Sequence, residues 1–124
     1  VELKKDDIEE LDSVLTSIKN LSGVEGGAII ARNGVLIASS LPQGVDGQKF
    51  AAMAASMVGA SETAAALLNS FARMITIEID RGKILALGAG PKAILVVLAG
   101  ENADVEKLIK KIDKHRKEVM KILK

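Results

Sequence analysis

The sequence predicts a single α/β domain with the element order αββαβββα, and three features carry that reading. Helical periodicity stands at both ends of the chain, Asn33-Gly34 joins two short apolar runs, and residues 74–99 hold three strand-like runs separated by tight turns. The chain has 124 residues, 48% of them hydrophobic and 27% charged, enough apolar mass for one core spanning residues 1–124 without metals or disulfides. No linker, internal repeat or low-complexity tract divides it.

The elements follow in order. Ile8, Leu11, Val14, Leu15, Ile18 and Leu21 recur at helical spacing behind a capping-box-like Asp6 and Glu9, and Gly23 ends that helix. Residues 27–32 and 35–39 read as a hairpin, because Asn33-Gly34 tolerates the positive φ angles of a type I′ turn. Pro42, Gly44 and Gly47 form a loop, and Asp46 caps a long second helix running to about Asn69. Residues 74–80 alternate, with Ile75, Ile77 and Ile79 on one face and Thr76, Glu78 and Asp80 on the other, as in a half-exposed strand. Arg81-Gly82 and Gly90-Pro91-Lys92 turn the chain into two more strands. The last of these, residues 94–98, is apolar on both faces and belongs at the sheet centre. A final helix starts after Asn102 or Ala103 and buries Val105, Leu108, Ile109, Ile112, Val119, Met120 and Leu123.

Composition and motifs narrow the function. The chain has no cysteine, hence no thiolate metal site or disulfide, and no secretory leader is read before the first acidic helix, so the expected address is cytoplasmic. Seventeen basic residues against sixteen acidic ones leave a net charge of +1, too little for a global field that would hold nucleic acid. Residues 50–72 are apolar but interrupted by Ser56, Ser61, Glu62, Thr63, Asn69 and Ser70, so no transmembrane segment is expected. HExxH, GxSxG and P-loop patterns are absent, and no catalytic residue, cofactor or metal site is assigned. The one histidine, His115, flanks the last helix's apolar stripe and reads as structural. Glu78 and Asp80 lack a third ligand nearby in sequence. The Gly88-to-Lys92 stretch leads into a strand rather than the helix a phosphate loop needs, so it reads as a hairpin turn. Residues 107–124 carry eight basic and two acidic side chains and read as a solvated helix face that complements the helix dipole.

Two departures from ordinary patterning point to protein contact. Between Lys49 and Arg73 the only charge is Glu62, so the second helix lacks a normal solvated face. Its stripe Phe50, Met53, Met57, Ala60, Ala64, Leu67 and Leu68 is expected to cover the sheet. The opposite face, with Ala51, Ala52, Ala55, Ser56, Gly59, Glu62, Thr63, Ala66 and Asn69, is small and open to close approach. The other departure is the run Val35, Leu36, Ile37, Ala38, Ser39 and Ser40, a bare edge without charge or proline, expected to pair with its twin across a two-fold axis. The expected dimer contacts are Val35, Leu36, Ile37, Ala38, Ser39, Ala55 and Gly59. The expected partner platform is Ala52, Ser56, Gly59, Glu62 and Thr63.

The hairpin VEGGAIIARNGVLIASSLP, the helix AAMAASMVGASETAAALL and the strands MITIEIDRGKILALGAG and AILVVLAG, in this order, resemble the Roadblock/dynein light chain family over about residues 8–112. The resemblance implies a three-layer sandwich: a five-stranded antiparallel sheet in the order 2-1-5-4-3, with the second helix on one face and the terminal helices on the other. It also implies a homodimer joined at the second strand, its second helices side by side. Members of the family serve as non-catalytic regulators or scaffolds of small Ras-like GTPases, and this compact chain is similar to the stand-alone prokaryotic, MglB-like kind. A light-chain-like structural subunit of a larger complex requires the same surfaces. A small-ligand sensor fits the layer architecture, but it needs orienting polar groups in the core, which the aliphatic sequence does not supply.

Overall fold

The computed structural model describes residues 3–124. The elements are α1 (Lys5–Lys19), β1 (Val24–Ala31), β2 (Leu36–Ser40), α2 (Gly47–Leu67), β3 (Ile75–Ile79), β4 (Gly82–Ala89), β5 (Ala93–Gly100) and α3 (Val105–Ile122). The five strands form one antiparallel sheet in the order β2-β1-β5-β4-β3. This is the expected order of elements and strands.

The strand alternation sorts side chains into two layers. Ile29, Leu85, Leu87, Leu95 and Val97 point to one face, where Leu11, Val14, Leu15 and Ile18 of α1 and Leu108, Ile112 and Val119 of α3 cover them. Ala28, Ile30, Ala86, Ile94 and Val96 point to the other and meet Ala51, Ala54 and Val58 of α2. β5 is buried from Ala93 to Val97 and hydrogen-bonded on both sides, as its unbroken apolar run requires.

Several local readings change. Lys4 N–H donates to Asp7 Oδ2 at 3.2 Å, so α1 starts one residue before the expected cap and Asp7 takes the role assigned to Glu9. In the β1–β2 hairpin only Gly34 has positive φ, at 90°, which excludes type I′. Gly34 N–H donates to Ala31 O and Ala31 N–H to Val35 O, the bonds of a three-residue loop in which glycine takes the left-handed position. Val35 therefore closes the loop opposite Ala31, just before β2. α2 begins as expected, with Asp46 Oδ1 accepting from Lys49 N–H at 3.0 Å. It ends earlier, at Leu67, because Asn69 turns left-handed (φ 56°) and lets Ser70 N–H reach Ala65 O and Asn69 N–H reach Ala66 O, a Schellman closure. On α3, Met120 stays 36% exposed where burial was expected.

Candidate partner-binding site

α2 crosses the sheet from one edge to the other, touching all five strands. At its start Gln48 bridges to the hairpin, its Nε2 donating to Gly34 O at 3.0 Å and its Oε1 accepting from Leu36 N–H at 3.3 Å. Farther along, Val58, Ser61 and Glu62 stand beside Ile75, Ala86 and Gly88. The residues turned to the sheet are the small ones, Ala51 and Ala54 fully buried and Val58 nearly so. Close seating on a pleated surface favours short side chains at its centre, although Phe50 and Met57 of the expected stripe, half-buried, also pack against this layer. The helix is therefore rolled away from the expected orientation. Ala51, assigned to the open face, is core, while Met53, Leu67 and Leu68 of the expected core stripe are 57%, 81% and 80% exposed.

The residues expected to form the platform, Ala52, Ser56, Gly59, Glu62 and Thr63, are all exposed. Ser56 Oγ donates to Ala52 O at 3.0 Å and Thr63 Oγ1 to Gly59 O at 3.1 Å, so these hydroxyls are satisfied within the helix. What the face offers a partner is small, neutral surface next to exposed methionine and leucine. Glu62 is not free: its Oε1 lies 2.6 Å from Arg32 Nη1. Arg32 also donates from Nε (3.3 Å) and Nη2 (2.9 Å) to Gly90 O, tying α2 to the end of β1 and to the β4–β5 turn. No local pattern announces this clamp, whose partners lie 30 and 58 residues away.

The expected dimer residues differ in exposure. On β2 and just before it, Ser39 and the loop-closing Val35 are exposed, Leu36 and Ile37 are half-buried, and Ala38 is turned into the core beside α1. A bulge interrupts the strand, for Ile29 pairs with Ala38 and Ile30 with Leu36, leaving Ile37 extra. Ala55 is half-buried and Gly59 exposed on α2. At the opposite edge, β3 carries Ile79, 48% exposed, while Val58, Ser61 and Glu62 in the far half of α2 lie beside Ile75 at the other end of that strand.

The remaining candidates take structural places. His115 Nδ1 lies 3.0 Å from Glu118 Oε1 on α3. Glu78 faces Lys83 across the strand pair at 3.6 Å. Gly88 and Ala89 end β4, and Gly90 to Lys92 form the β4–β5 turn, with Gly90 at φ 82°. α2 is long and apolar enough by composition to cross a bilayer, but here it lies on the sheet.

Fold and site together define a three-layer α/β domain whose most distinctive surface is a charge-poor helix face. The profile of the Roadblock/LC7 domain family matches residues 10–99, and the chain belongs to that family. Three uncharacterised proteins of Methanocaldococcus jannaschii are each 38% identical over 89 residues, 71% of this chain and 75–77% of theirs. The gliding protein MglB of Thermus thermophilus superposes with a TM-score of 0.88 at 21% identity, covering 98% of this chain and 97% of its own. Myxococcus xanthus MglB gives 0.89 at 19%, covering 99% and 94%. At these identities the two MglB structures speak for the fold.

Proposed function

We propose that this chain is a non-catalytic homodimeric regulator or scaffold that binds a small Ras-like GTPase through the outer face of α2 around Ala52, Ser56, Gly59, Glu62 and Thr63. The observation that carries the reading is the roll of α2, which keeps small residues in the core and leaves Met53, Leu67 and Leu68 in solvent on a helix with one carboxylate. Exposed apolar surface of that kind is the mark of a protein contact. Membership of the Roadblock/LC7 family supports the choice of partner class.

For the homodimer, the weight of exposed apolar surface favours β3 over the β2 edge expected from sequence. The far half of α2 lies beside Ile75 at one end of that strand, and the far end of the same sheet face is uncovered. There, Phe50, Ile79, Ile84 and Leu98 border an open concavity of about 1000 Å³. In an antiparallel β3–β3 pairing, the two-fold axis brings the partner's Leu67 and Leu68 toward that concavity.

The test is affinity capture with the native dimer, once in GDP and once in a non-hydrolysable GTP analogue. A small GTPase held in one nucleotide state, and lost with Ser56→Arg, is the expected result. Nucleotide-indifferent recovery of a larger assembly would instead make the chain a light-chain-like structural subunit.

A further inference from the structure

We propose that a trough between α3 and the start of β3 docks an acidic amphipathic segment of another protein, at a site that adjoins the outer face of α2 at Glu62, whose carboxylate on the trough wall is already paired with Arg32. The trough is an open concavity of about 1250 Å³. Its apolar wall includes Phe71, Met74, Ile109 and Met120, and Arg73 and Lys110 stand on its rim. Phe71 is 92% exposed, the most exposed of the large hydrophobic side chains outside the core. Two methionines give the wall the adaptability of surfaces that accept apolar anchors.

Charge sets the sign of the occupant. Arg116 and Asp113, also on the wall, are already paired at 2.9 Å. Hydrogen bonds from Arg116 and then Lys117 hold the Asp113 carboxyl below the usual carboxylate range, so it brings no uncompensated negative charge. Arg73 and Lys110 enter no ion pair among the described residues. Behind Lys110 runs a ridge of exposed Lys107, Lys111, Lys114, Lys117 and Lys121. Like charges three and four residues apart weaken a helix by about 0.2–0.5 kcal/mol per pair, so the ridge is a burden to α3 that an acidic partner relieves.

The shape of the charge selects a segment over a membrane. α1 packs against α3 in the same layer and exposes Asp6, Glu9, Glu10 and Asp12. Packed helices lie about 8–10 Å apart, within one Debye length of about 8 Å or little beyond it, so a broad anionic surface reaching the lysines also meets these carboxylates. A narrow helix with leucines toward Phe71 and Met120 and carboxylates toward Arg73 and Lys110 avoids them.

The experiment uses the full chain and fluorescent synthetic peptides of roughly 16 residues, about 24 Å as a helix. One has leucines at i, i+3, i+4 and i+7 with glutamates between; the second has the same composition scrambled; the third has lysine for glutamate. The first is expected to bind, to weaken with salt, and to lose about tenfold or more in affinity with Arg73→Glu plus Lys110→Glu, and again with Phe71→Asp. Phe71 and both cations are exposed, so these variants keep the fold. Equal binding of the scrambled peptide, unchanged affinity in the variants, or binding to phosphatidylserine vesicles with none to the peptide would overturn the proposal. Sedimentation of the same variants keeps this outcome apart from any failure of the homodimer.

Discussion

Arg32 links the far half of α2 to the β4–β5 turn. Its guanidinium makes a 2.6 Å ion pair with Glu62 and two bonds to the Gly90 carbonyl. The two sets of contacts differ in value. The Glu62 side chain is 43% exposed, and an ion pair with that much water around it contributes about 0–1 kcal/mol. The carbonyl bonds are charge-assisted and part-buried, and they add to the backbone bond from Arg32 N–H to Lys92 O that already joins the β1 end to this turn. Arg32→Ala is therefore expected to lower stability by about 1–2 kcal/mol in urea unfolding at fixed protein concentration, and Glu62→Gln by under about 1 kcal/mol. Equal losses in the two variants would shift the role from the carbonyl to the ion pair. Gly88 sharpens the point, since a Cβ there would lie 2.8 Å from Arg32 Nη2.

At the scale of elements, α2 shows what patterning reveals and what it hides. Hydropathy placed its largest apolar side chains in the core, whereas the sheet takes Ala51, Ala54 and Val58. Ala54→Leu is accordingly expected to cost about 1–3 kcal/mol through overpacking, while Met53→Gln, at a 57% exposed position, stays within about 0.5 kcal/mol. Chemical denaturation of both variants decides the matter, and the reverse ranking would restore the orientation read from sequence. α1, α3 and β5 were legible because each meets a deep core, where long aliphatic residues mark the buried side. α2 was not, because its distance from the sheet is a tertiary quantity that favours small residues over hydrophobic ones. The same limit applies to the hairpin, where Asn33-Gly34 announced a turn but not its three-residue form, and to β2, whose bulge at Ile37 has no composition of its own. Of the candidate site, the exposure of Ala52, Ser56, Gly59, Glu62 and Thr63 was legible from their small size and the missing charges. The Arg32 clamp and the exposed leucines were not.

For the whole molecule, the proposed homodimer joins through one of the two sheet edges, which make opposite predictions. β2 is uncharged, which first suggested it, but its bulge twists the strand and Ala38 faces inward, leaving little flat edge to extend. β3 carries Glu78, with Asp80 in the turn after it, yet Ile79 on the strand and Leu67 and Leu68 at the end of α2 are 48%, 81% and 80% exposed. A specific dimer buries about 1,200–2,000 Å² in total, more than a single five-residue strand supplies, so helix surface has to join in. At β3 the exposed Leu67 and Leu68 at the end of α2 are the surface proposed to do so. Light scattering is expected to give twice the chain mass of 13.0 kDa for the wild type and for Ile37→Lys. Leu67→Asp with Leu68→Asp is expected to give a folded monomer with unchanged far-ultraviolet circular dichroism, since neither side chain is part of the core. Monomer from Ile37→Lys and dimer from the double aspartate variant would move the contact back to β2. Dimer from both would place the two-fold axis on a third surface, leaving the leucines at the end of α2 to the partner that this face is proposed to bind.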